Sequence, residues 1–327
     1  MSARALLAPL TPLYRLGLAW RERRLGSGRE PVRRLTWPVV SVGNLSTGGA
    51  GKTPLTIALA QALTRRGVRV DVLSRGYGRR DMAAALVRTD GTAEEFGDEP
   101  LLMARVAGVP VYVAAERYEA GLLAERNGGK GGAAMHILDD GFQHRQLHRE
   151  VDILLLNRDD WHGRLMPAGN LREARRAAAR TSVIAVPADD AEFERELRAW
   201  GWAGPVWRLR RRMETPEVAG PVVAFCGIAR PEQFFAGLEA LGVRLAARIV
   251  FRDHHVYRER DVERLRTMAL RAGATLLTTE KDAVRMSASA SGLGLRTTRL
   301  RTEIEDEAAA AEWLLERIRV APGDSAL

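Results

Sequence analysis

PVVSVGNLSTGGAGKTP, residues 38–54, joins a β-branched run to a glycine-rich loop and then to a helical pattern. The run from Pro38 to Val42 predicts a buried strand. The helix that follows is predicted to end near Gly67, a residue type suited to a helix C-cap. Its apolar positions at helical spacing are Leu55, Leu59, Ala62 and Leu63. A strand, a loop and a helix in this order are the context that a phosphate-binding loop requires.

The loop has the residue types that a bound triphosphate needs. Small residues let consecutive backbone N–H groups turn inward, and the N-terminus of the helix adds its positive dipole. Lys52 is expected to reach the β- and γ-phosphates, and the Thr53 hydroxyl is expected to ligate Mg²⁺. Pro54 fits within the first helical turn, where its missing N–H costs little.

One position departs from the common phosphate-loop pattern. Ser46 stands where that pattern has glycine, so Gly48 and Gly49 are expected to supply the flexibility of the turn. The alternative is a glycine-rich turn that binds nothing. The predicted nucleotide-binding residues are Thr47, Gly48, Gly49, Ala50, Gly51, Lys52, Thr53 and Pro54.

Beyond this unit, β-branched runs alternate with helical patterns, which is typical of a parallel sheet covered by helices. The predicted strands of the first part are 38–42, 68–74, 109–113, 136–139, 151–157 and 182–186. Charged sequence over 187–221 indicates a hinge or a short β connection. Strands at 222–225, 248–251 and 274–278 and a helix over 305–319 follow. We expect an α/β protein with a P-loop NTPase core over 31–205, a smaller α/β domain over 206–327 and a separate N-terminal helix over 1–30.

The composition describes a folded, basic protein without disulfides. Apolar residues make up 46% of the 327 positions and charged residues 28%, enough apolar surface for a sizeable core. Cys226 is the only cysteine, so an intrachain disulfide cannot form, and a reducing cytosolic setting fits best. The net charge of +9 favours anionic partners such as nucleic acid, acidic lipid headgroups or phosphorylated substrates.

The first 25 residues combine apolar and basic side chains. The chain has no run of roughly 18 apolar residues, as a membrane-spanning helix needs, and no recognisable signal peptide. Thr11 and Pro12 can cap and start a helix. One stripe of that helix contains Leu6, Leu10, Leu13, Gly17 and Trp20, whereas Arg4, Arg15 and Arg23 lie away from it. Two interpretations stay open: an anchor at a membrane surface, or a helix packed on the protein's own core.

Carboxylates mark two further positions. Asp139 and Asp140 end a predicted buried strand, as expected for the magnesium-organising strand of P-loop enzymes. The alternative is a strand-terminal turn without a ligand. Asp98 lies at a predicted helix entrance, where a carboxylate is either an N-cap or a general base.

Histidines and arginines complete the candidates. His254 and His255 follow a predicted strand, where an imidazole can relay a proton if two domains close over a substrate; adjacent surface histidines are the alternative. His144 and His148 are spaced for one helix face, but no third ligand supports a metal site there. The basic run 208–212 fits a solvated face better than a nucleic-acid patch. Groups suited to an anionic sugar-bearing substrate are Arg75, Tyr77, Arg117 and Arg172.

Eight short blocks in the same order resemble one family, tetraacyldisaccharide 4'-kinase, the lipid A 4'-kinase of Gram-negative bacteria. The blocks are VGNLSTGGAGKTP at 42–54, SRGYG at 74–78, GDEP at 97–100, LDDGFQH at 138–144, PAGNLRE at 167–173, FCGIA at 225–229, DHHVY at 253–257 and TEKDA at 279–283. Each block alone is weak, but eight in family order are specific. Asn170 departs from the family pattern, which has proline at that position.

The resemblance implies transfer of the ATP γ-phosphate to the 4'-hydroxyl of a tetraacylated glucosamine disaccharide 1-phosphate, giving lipid IVA at the cytoplasmic face of the bacterial inner membrane. It implies two α/β/α domains with the active site between them, and ATP and Mg²⁺ as cofactors. The implied partners are a lipid disaccharide in the bilayer and a membrane surface with anionic lipid, without nucleic acid; the oligomeric state stays open. The N-terminal helix is then expected to be an anchor, because a four-chain lipid stays in the bilayer.

The resemblance also assigns residues position by position. Asp98 becomes the base on the sugar hydroxyl, assisted by His254 or His255, and Lys52 binds phosphate. The implied metal-site residues are Thr53, Asp139, Asp140 and Glu173. The implied substrate-binding residues are Asn44, Arg75, Tyr77, Glu99, Arg117, Gln143, His144 and Arg172.

Two functions of other classes compete with this interpretation. A nucleic-acid-stimulated P-loop ATPase would use the basic charge, but it requires an aromatic and basic groove that the sequence does not show in order. A nucleotide-dependent switch or chaperone would need the phosphate loop and would tolerate the loss of Asp98.

Overall fold

One mixed sheet of twelve strands organises the described part of the chain. The computed structural model describes residues 3–48, 51–129, 133–286 and 293–319, so Gly49 and Ala50 of the predicted loop lie outside the described residues. The strands are β1 Val39–Asn44, β2 Arg69–Ser74, β3 Ala85–Leu86, β4 Val111–Val113, β5 Ala134–Asp139, β6 Val151–Leu155, β7 Val183–Pro187, β8 Val206–Glu214, β9 Val222–Cys226, β10 Leu245–Val250, β11 Thr275–Thr279 and β12 Arg296–Ile304. Their order across the sheet is β10-β9-β11-β12-β8-β7-β6-β1-β5-β2-β4-β3.

Helices cover both faces of this sheet. The α-helices are α1 Thr11–Gly26, α2 Lys52–Thr64, α3 Ala93–Phe96, α4 Asp98–Val106, α5 Arg117–Gly128, α6 Arg158–Trp161, α7 Ala191–Ala199, α8 Pro231–Ala240, α9 Glu259–Ala272, α10 Glu280–Arg285 and α11 Glu307–Arg319, and 3-10 helices span Ala3–Leu10 and Arg175–Arg180. Val40 of β1 packs in a core cluster with Leu59 of α2, whereas Val39 packs on the other face with Ala120 of α5. The strands therefore bury both faces, as parallel strands under crossover helices do, and the predicted α/β class is confirmed.

The sheet is continuous through the region predicted to be a hinge. β8 pairs parallel with β7 on one side and antiparallel with β12 on the other, so the region predicted to be a hinge or a short β connection, 187–221, contains a nine-residue strand. Trp207 and Leu209 are buried, whereas the alternating residues Arg208 and Arg210 are exposed, a period-two pattern hidden in the basic run. The division into 31–205 and 206–327 stays a prediction.

The order in which strands are added to the sheet switches from one side of β1 to the other. β1 lies between β5 and β6 and is parallel to both. The chain runs from β1 toward β2 on one side and later passes from β5 to β6 on the other. Ligands of open parallel sheets bind outside the carboxyl ends of the strands at such a switch point. The loop after β1 and the acids at the end of β5 lie at this place.

The N-terminal segment packs by one face and exposes the other. α1 begins at Thr11 with Pro12 in its first turn, as predicted, but Leu10 occupies the N-cap, so Thr11 does not cap the helix. Tyr14 and Leu18 pack against a core cluster that includes Phe142. The outward apolar side chains are Leu6, Leu7, Leu10, Leu13, Leu16 and Trp20, with exposed fractions between 42% and 75%. Among the described residues, no helix has the length and apolarity that crossing a membrane demands.

Candidate active site

A cavity of about 1140 Å³ opens at the carboxyl ends of β1, β2 and β5. It gathers side chains from both parts of the chain, because His254 and Lys281 of the second part line it together with the phosphate loop. The predicted site residues that line it are Gly48, Gly51, Lys52, Thr53, Pro54, Arg75, Tyr77, Asp98, Glu99, Arg117, Asp139, Asp140, Gln143, His144, Arg172 and His254.

The described residues of the phosphate loop hold Lys52 in place at the start of α2. Gly51 is the N-cap residue and has a φ of 91°, a left-handed conformation that glycine adopts without strain. Lys52 Nζ donates to Asn44 Oδ1 at 3.1 Å and lies 3.5 Å from Asp140 Oδ1. The Thr47 N–H donates to the Asn170 carbonyl at 2.7 Å, so the residue that departs from the family pattern supports the loop through its backbone.

The pKa values of the two acids at the end of β5 are shifted in opposite directions. Burial, reinforced by the charges of Glu99 and Asp140, raises the pKa of Asp139 to about 7, although its Oδ1 accepts a hydrogen bond from Thr56 at 3.1 Å. Burial alone would raise the pKa of Asp140, but the charges of Lys52 and Arg172 lower it. Arg172 Nη1 donates to both Asp140 oxygens at 3.0 and 2.9 Å.

This donor set fits Mg²⁺. The ion prefers oxygen ligands and is commonly held by one or two carboxylates, substrate phosphates and water. Asp139, Asp140 and Thr53 line the same cavity. The repulsion between carboxylates that raises the pKa of Asp139 is also relieved by a bound divalent cation.

Asp98 is held by contacts from the second part of the chain. It is the first residue of α4, and Gly97 occupies the N-cap. Asp98 is therefore not the N-cap residue that the sequence offered as one alternative. Its Oδ2 accepts hydrogen bonds from His254 Nδ1 at 2.9 Å and from Arg285 Nε at 2.8 Å. Burial opposes ionisation of Asp98, but the His254 hydrogen bond and the charges of Lys281 and Arg285 prevail and hold its pKa well below the usual range. Asp98 is therefore a carboxylate at neutral pH.

The structure brings His254, and not His255, to Asp98. With Nδ1 donating to a carboxylate, the neutral His254 ring carries its lone pair on Nε2. His255 instead pairs with Asp261 through Nε2 at 3.1 Å and stacks on Phe251. His255 is absent from the described lining of the cavity.

A buried network behind Asp98 was not predicted from the sequence. Arg285 Nη1 donates to the Gly227 carbonyl at 2.7 Å, and Asp282 Oδ1 accepts from Tyr257 at 2.8 Å and from the Gly227 N–H at 2.9 Å. Lys281 Nζ donates to Glu99 Oε1 at 2.8 Å. Lys281 and Asp282 belong to the quoted block 279–283, which was a signal for a functional role, whereas nothing in the sequence pattern indicated Arg285.

Replacing Arg285 by methionine is expected to lower the free energy of unfolding by about 3–5 kcal/mol, because it leaves the buried Asp98 charge without its guanidinium. Urea denaturation measures this difference. The control is Arg248→Met, which breaks an exposed ion pair with Glu239 and should cost less than about 1 kcal/mol. Equal losses in the two variants would contradict a structural role for the Arg285–Asp98 pair.

Several predicted residues lie elsewhere. Asn44 is fully buried and orients Lys52 rather than facing the cavity. Glu173 pairs with Arg180 at 2.8 Å and, like Thr47, is not brought to the described cavity wall. His144 and His148 lie outside any helix, so their spacing does not place them on one helix face, and His148 contacts Arg34.

Arginines and a histidine form another part of the cavity lining. Arg117 is buried at the start of α5, where burial and the charge of Arg75 lower its pKa to about 10, so it stays protonated. Burial and the charge of Arg117 lower the pKa of His144 to about 3, so this imidazole is neutral. Arg172 Nη1 also donates to Gln143 Oε1 at 3.2 Å. Cationic guanidinium groups beside neutral polar groups suit an anionic ligand.

Comparisons with known proteins agree on one family. The family model for tetraacyldisaccharide-1-P 4'-kinase matches residues 3–319. The tetraacyldisaccharide 4'-kinase of Koribacter versatilis is 40% identical over 323 residues, which cover 95% of this chain and 98% of the relative. That of Gluconacetobacter diazotrophicus is 44% identical over 292 residues, covering 86% and 84%.

A solved structure gives the same result. The crystal structure of LpxK from Aquifex aeolicus in complex with ATP is similar with a TM-score of 0.77 and 31% identity, over 96% of this chain and 99% of that one. The two folds therefore agree over nearly the whole of both chains. With the family model and the relatives, this likeness shows that the chain belongs to the tetraacyldisaccharide 4'-kinase family.

Proposed function

We propose that this kinase transfers the γ-phosphate of ATP to the 4'-hydroxyl of a tetraacylated glucosamine disaccharide 1-phosphate and so forms lipid IVA. The observation that carries the proposal is the contact of Asp98 with His254 in the same cavity as Lys52, Asp139 and Asp140. A base for a hydroxyl thus shares a cavity with a phosphate-binding lysine and two acids, which are the parts that phosphoryl transfer uses.

On the donor side, Lys52 supplies positive charge at a fixed place. Asn44 Oδ1 accepts a hydrogen bond from the Lys52 ammonium group, which also lies 3.5 Å from Asp140 Oδ1. Asp140, held by Arg172, balances that charge. Thr53, Asp139 and Asp140 would hold Mg²⁺, which would supply positive charge against the negative charge that develops on the transferring phosphoryl group.

On the acceptor side, Asp98 and His254 act as a pair. Asp98 engages His254 Nδ1, so Nε2 is the nitrogen that accepts the proton of the 4'-hydroxyl. The Asp98 carboxylate fixes the tautomer and stabilises the imidazolium ion that forms. Because Oδ1 and Oδ2 of Asp98 already accept hydrogen bonds from Glu99, His254 and Arg285, the carboxylate works through the imidazole.

The direct test incubates the purified chain with γ-labelled ATP and the disaccharide 1-phosphate in mixed micelles. Label is expected in a glycolipid carrying two phosphates, with one ADP formed for each phosphate transferred. The control acceptor carries a methyl ether at the 4'-position and should stay unlabelled. ATP hydrolysis stimulated by DNA or RNA, without a labelled glycolipid, would establish the rival ATPase and contradict the proposal.

The exposed face of the N-terminal segment supports a membrane role. Tyr14 and Leu18 already attach α1 to the protein, and the Tyr14 hydroxyl donates to the Arg172 carbonyl at 2.8 Å. The outward leucines and Trp20 are therefore not needed by the protein's own core. An apolar face with basic neighbours binds the interface of an anionic bilayer. We therefore propose that the protein lies peripherally at the cytoplasmic face of the inner membrane, beside its lipid substrate.

The triple variant Leu10→Ser, Leu13→Ser and Trp20→Ser is expected to bind anionic vesicles at least about tenfold more weakly, because each large apolar side chain loses burial in the interface. Vesicle flotation measures the bound fraction. The matched control replaces three exposed apolar residues far along the chain, Leu241, Val256 and Leu270, by serine. Unchanged flotation of the N-terminal variant would return the segment to a purely structural role.

A further inference from the structure

The inward face of α1 contacts segments that carry residues of the candidate active site. Tyr14, Leu18 and Arg21 follow one another at helical spacing and share one face, whereas the outward leucines are exposed on another face. Tyr14 and Leu18 pack against the core cluster that includes Phe142. None of the residues described in α1 is buried. The helix is therefore held by a narrow strip of contacts, and each polar contact in that strip can be tested singly.

The Tyr14 hydroxyl holds the peptide backbone at Arg172. It donates to the Arg172 carbonyl at 2.8 Å, and the Arg172 N–H donates to the Leu45 carbonyl at 2.7 Å. Burial and the charge of Glu173 raise the pKa of Tyr14, so the hydroxyl keeps its proton and remains a donor at neutral pH. The backbone of Arg172 is therefore fixed between α1 and the segment that follows β1.

Arg21 makes a second polar contact of the same face. Its Nη2 donates to the Gln143 carbonyl, and the side chain also lines the cavity that contains Lys52. The side chain of Gln143 joins two other parts of the site, because its Nε2 donates to the Asn44 carbonyl at 3.0 Å and its Oε1 accepts from Arg172 Nη1 at 3.2 Å. The two residues whose carbonyls α1 engages thus also bond to each other.

The same residues orient the charged groups on the donor side. Arg172 Nη1 donates to both oxygens of Asp140. Asn44 is fully buried, and its Oδ1 accepts from Lys52 Nζ at 3.1 Å. Together with Gln143, these residues form what we call the donor-side network. The carboxylate and the ammonium group of this network are held by residues that α1 contacts directly or through one neighbour.

We propose that Tyr14 and Arg21 are positioning residues for phosphoryl transfer. Their hydrogen bonds to two backbone carbonyls hold the donor-side network, which ends at Lys52 and Asp140. The inference rests on the proposed function for the reaction that is measured, and it gives α1 a role besides attachment to a bilayer. A displacement of about 1 Å at a reacting centre can slow a reaction by about a hundredfold. Hydrogen bonds behind the site therefore affect the rate without touching a substrate.

Tyr14→Phe is expected to lower kcat by about three- to tenfold, because phenylalanine keeps the apolar contacts of the ring and loses one hydrogen bond. KM for ATP and for the acceptor should stay constant, since Tyr14 is not among the described lining residues of the cavity. Transfer is measured in mixed micelles at saturating acceptor. Vesicle flotation, measured in parallel, should not change. The control Tyr118→Phe removes a hydroxyl from a ring that lies against Arg33, away from the described lining, and should transfer normally.

Arg21→Leu tests the second contact against a control of equal charge. Arg23→Leu removes the same charge from an exposed position of the same helix, so any weakening of vesicle binding through charge should be equal in the two variants. Only Arg21→Leu is expected to lower kcat, by about three- to tenfold, with an unchanged KM for the acceptor. A higher KM for the acceptor at normal kcat would make Arg21 a substrate contact and overturn its positioning role.

Amide hydrogen exchange separates this inference from the proposed function, because it needs no acceptor. In Tyr14→Phe, the segment 44–48 should exchange at least about threefold faster, since the network that holds it opens more often; Tyr118→Phe should leave it unchanged. Faster exchange in a protein that labels no glycolipid would contradict the proposed function and support the link between α1 and the phosphate loop. Normal kcat in Tyr14→Phe would overturn the inference, as would a loss of kcat that only follows a loss of vesicle binding.

Discussion

Asp98→Asn is expected to reduce turnover by about 10²- to 10⁴-fold, the range that a positioned acid or base contributes, while ADP affinity stays unchanged. Asparagine keeps the volume of aspartate but not its charge, so it cannot stabilise an imidazolium ion on His254. Single-turnover transfer at saturating acceptor measures the chemical step, and an ADP titration measures binding.

The matched control for this variant is Asp261→Asn. Asp261 makes the same kind of contact with the neighbouring His255, at 3.1 Å, but neither residue is part of the described cavity lining. Near-normal turnover is expected. Normal turnover in Asp98→Asn would remove Asp98 from the mechanism, as a nucleotide-dependent switch predicts, and an equal loss in both variants would show that any Asp–His contact matters only for folding.

Lys52→Met is expected to lower kcat by about 10²- to 10³-fold and to weaken ATP binding, because the charge that faces the phosphates is lost while the aliphatic stem remains. Asn44 Oδ1 loses the donor it holds, and the pKa of Asp140 rises without its first cationic neighbour. The transfer assay and ATP titration measure both effects. Arg65→Met, at the other end of α2 in an exposed pair with Glu307, is the control. Normal transfer by Lys52→Met would contradict its assigned role.

The strands that the sequence predicted are those whose apolar residues are buried on both faces. β1, β2, β5, β6, β7, β9 and β11 are short runs rich in apolar or β-branched residues, and their positions were correct within a few residues. β12 was missed, and β8 was predicted only as a hinge or a short β connection, because charged residues outnumber apolar ones in β8 and few residues of β12 are apolar. Arg301 of β12 and Glu214 of β8 form an ion pair at 3.2 Å, so polar side chains on both strands are satisfied only once the strands meet. The residue pattern of one strand does not show which strand will pair with it.

The site shows the same division between local and distant information. Lys52 and Asp139 follow strands within recognisable blocks, so their approach to one cavity could be predicted from parallel topology alone. The contact of His254 rather than His255 with Asp98 could not be predicted in this way. It depends on the left-handed backbone conformation of His254, with a φ of 58°, which directs the two rings to different partners. Arg285 lies 187 positions from Asp98 and becomes recognisable only when the two parts of the chain are packed together.

If the exposed face of α1 binds a bilayer, the concentration of acceptor that sets the rate is its concentration in the membrane. Arg21 of the same helix lines the cavity that contains Lys52 and Asp98. A bilayer touching the outward leucines would therefore lie about one helix diameter, 10–12 Å, from the reaction site. A sugar headgroup can cover that distance while its acyl chains stay among other lipids. The enzyme would then sample its acceptor in two dimensions, and its rate would follow the mole fraction of acceptor in the leaflet rather than the amount in the cell volume.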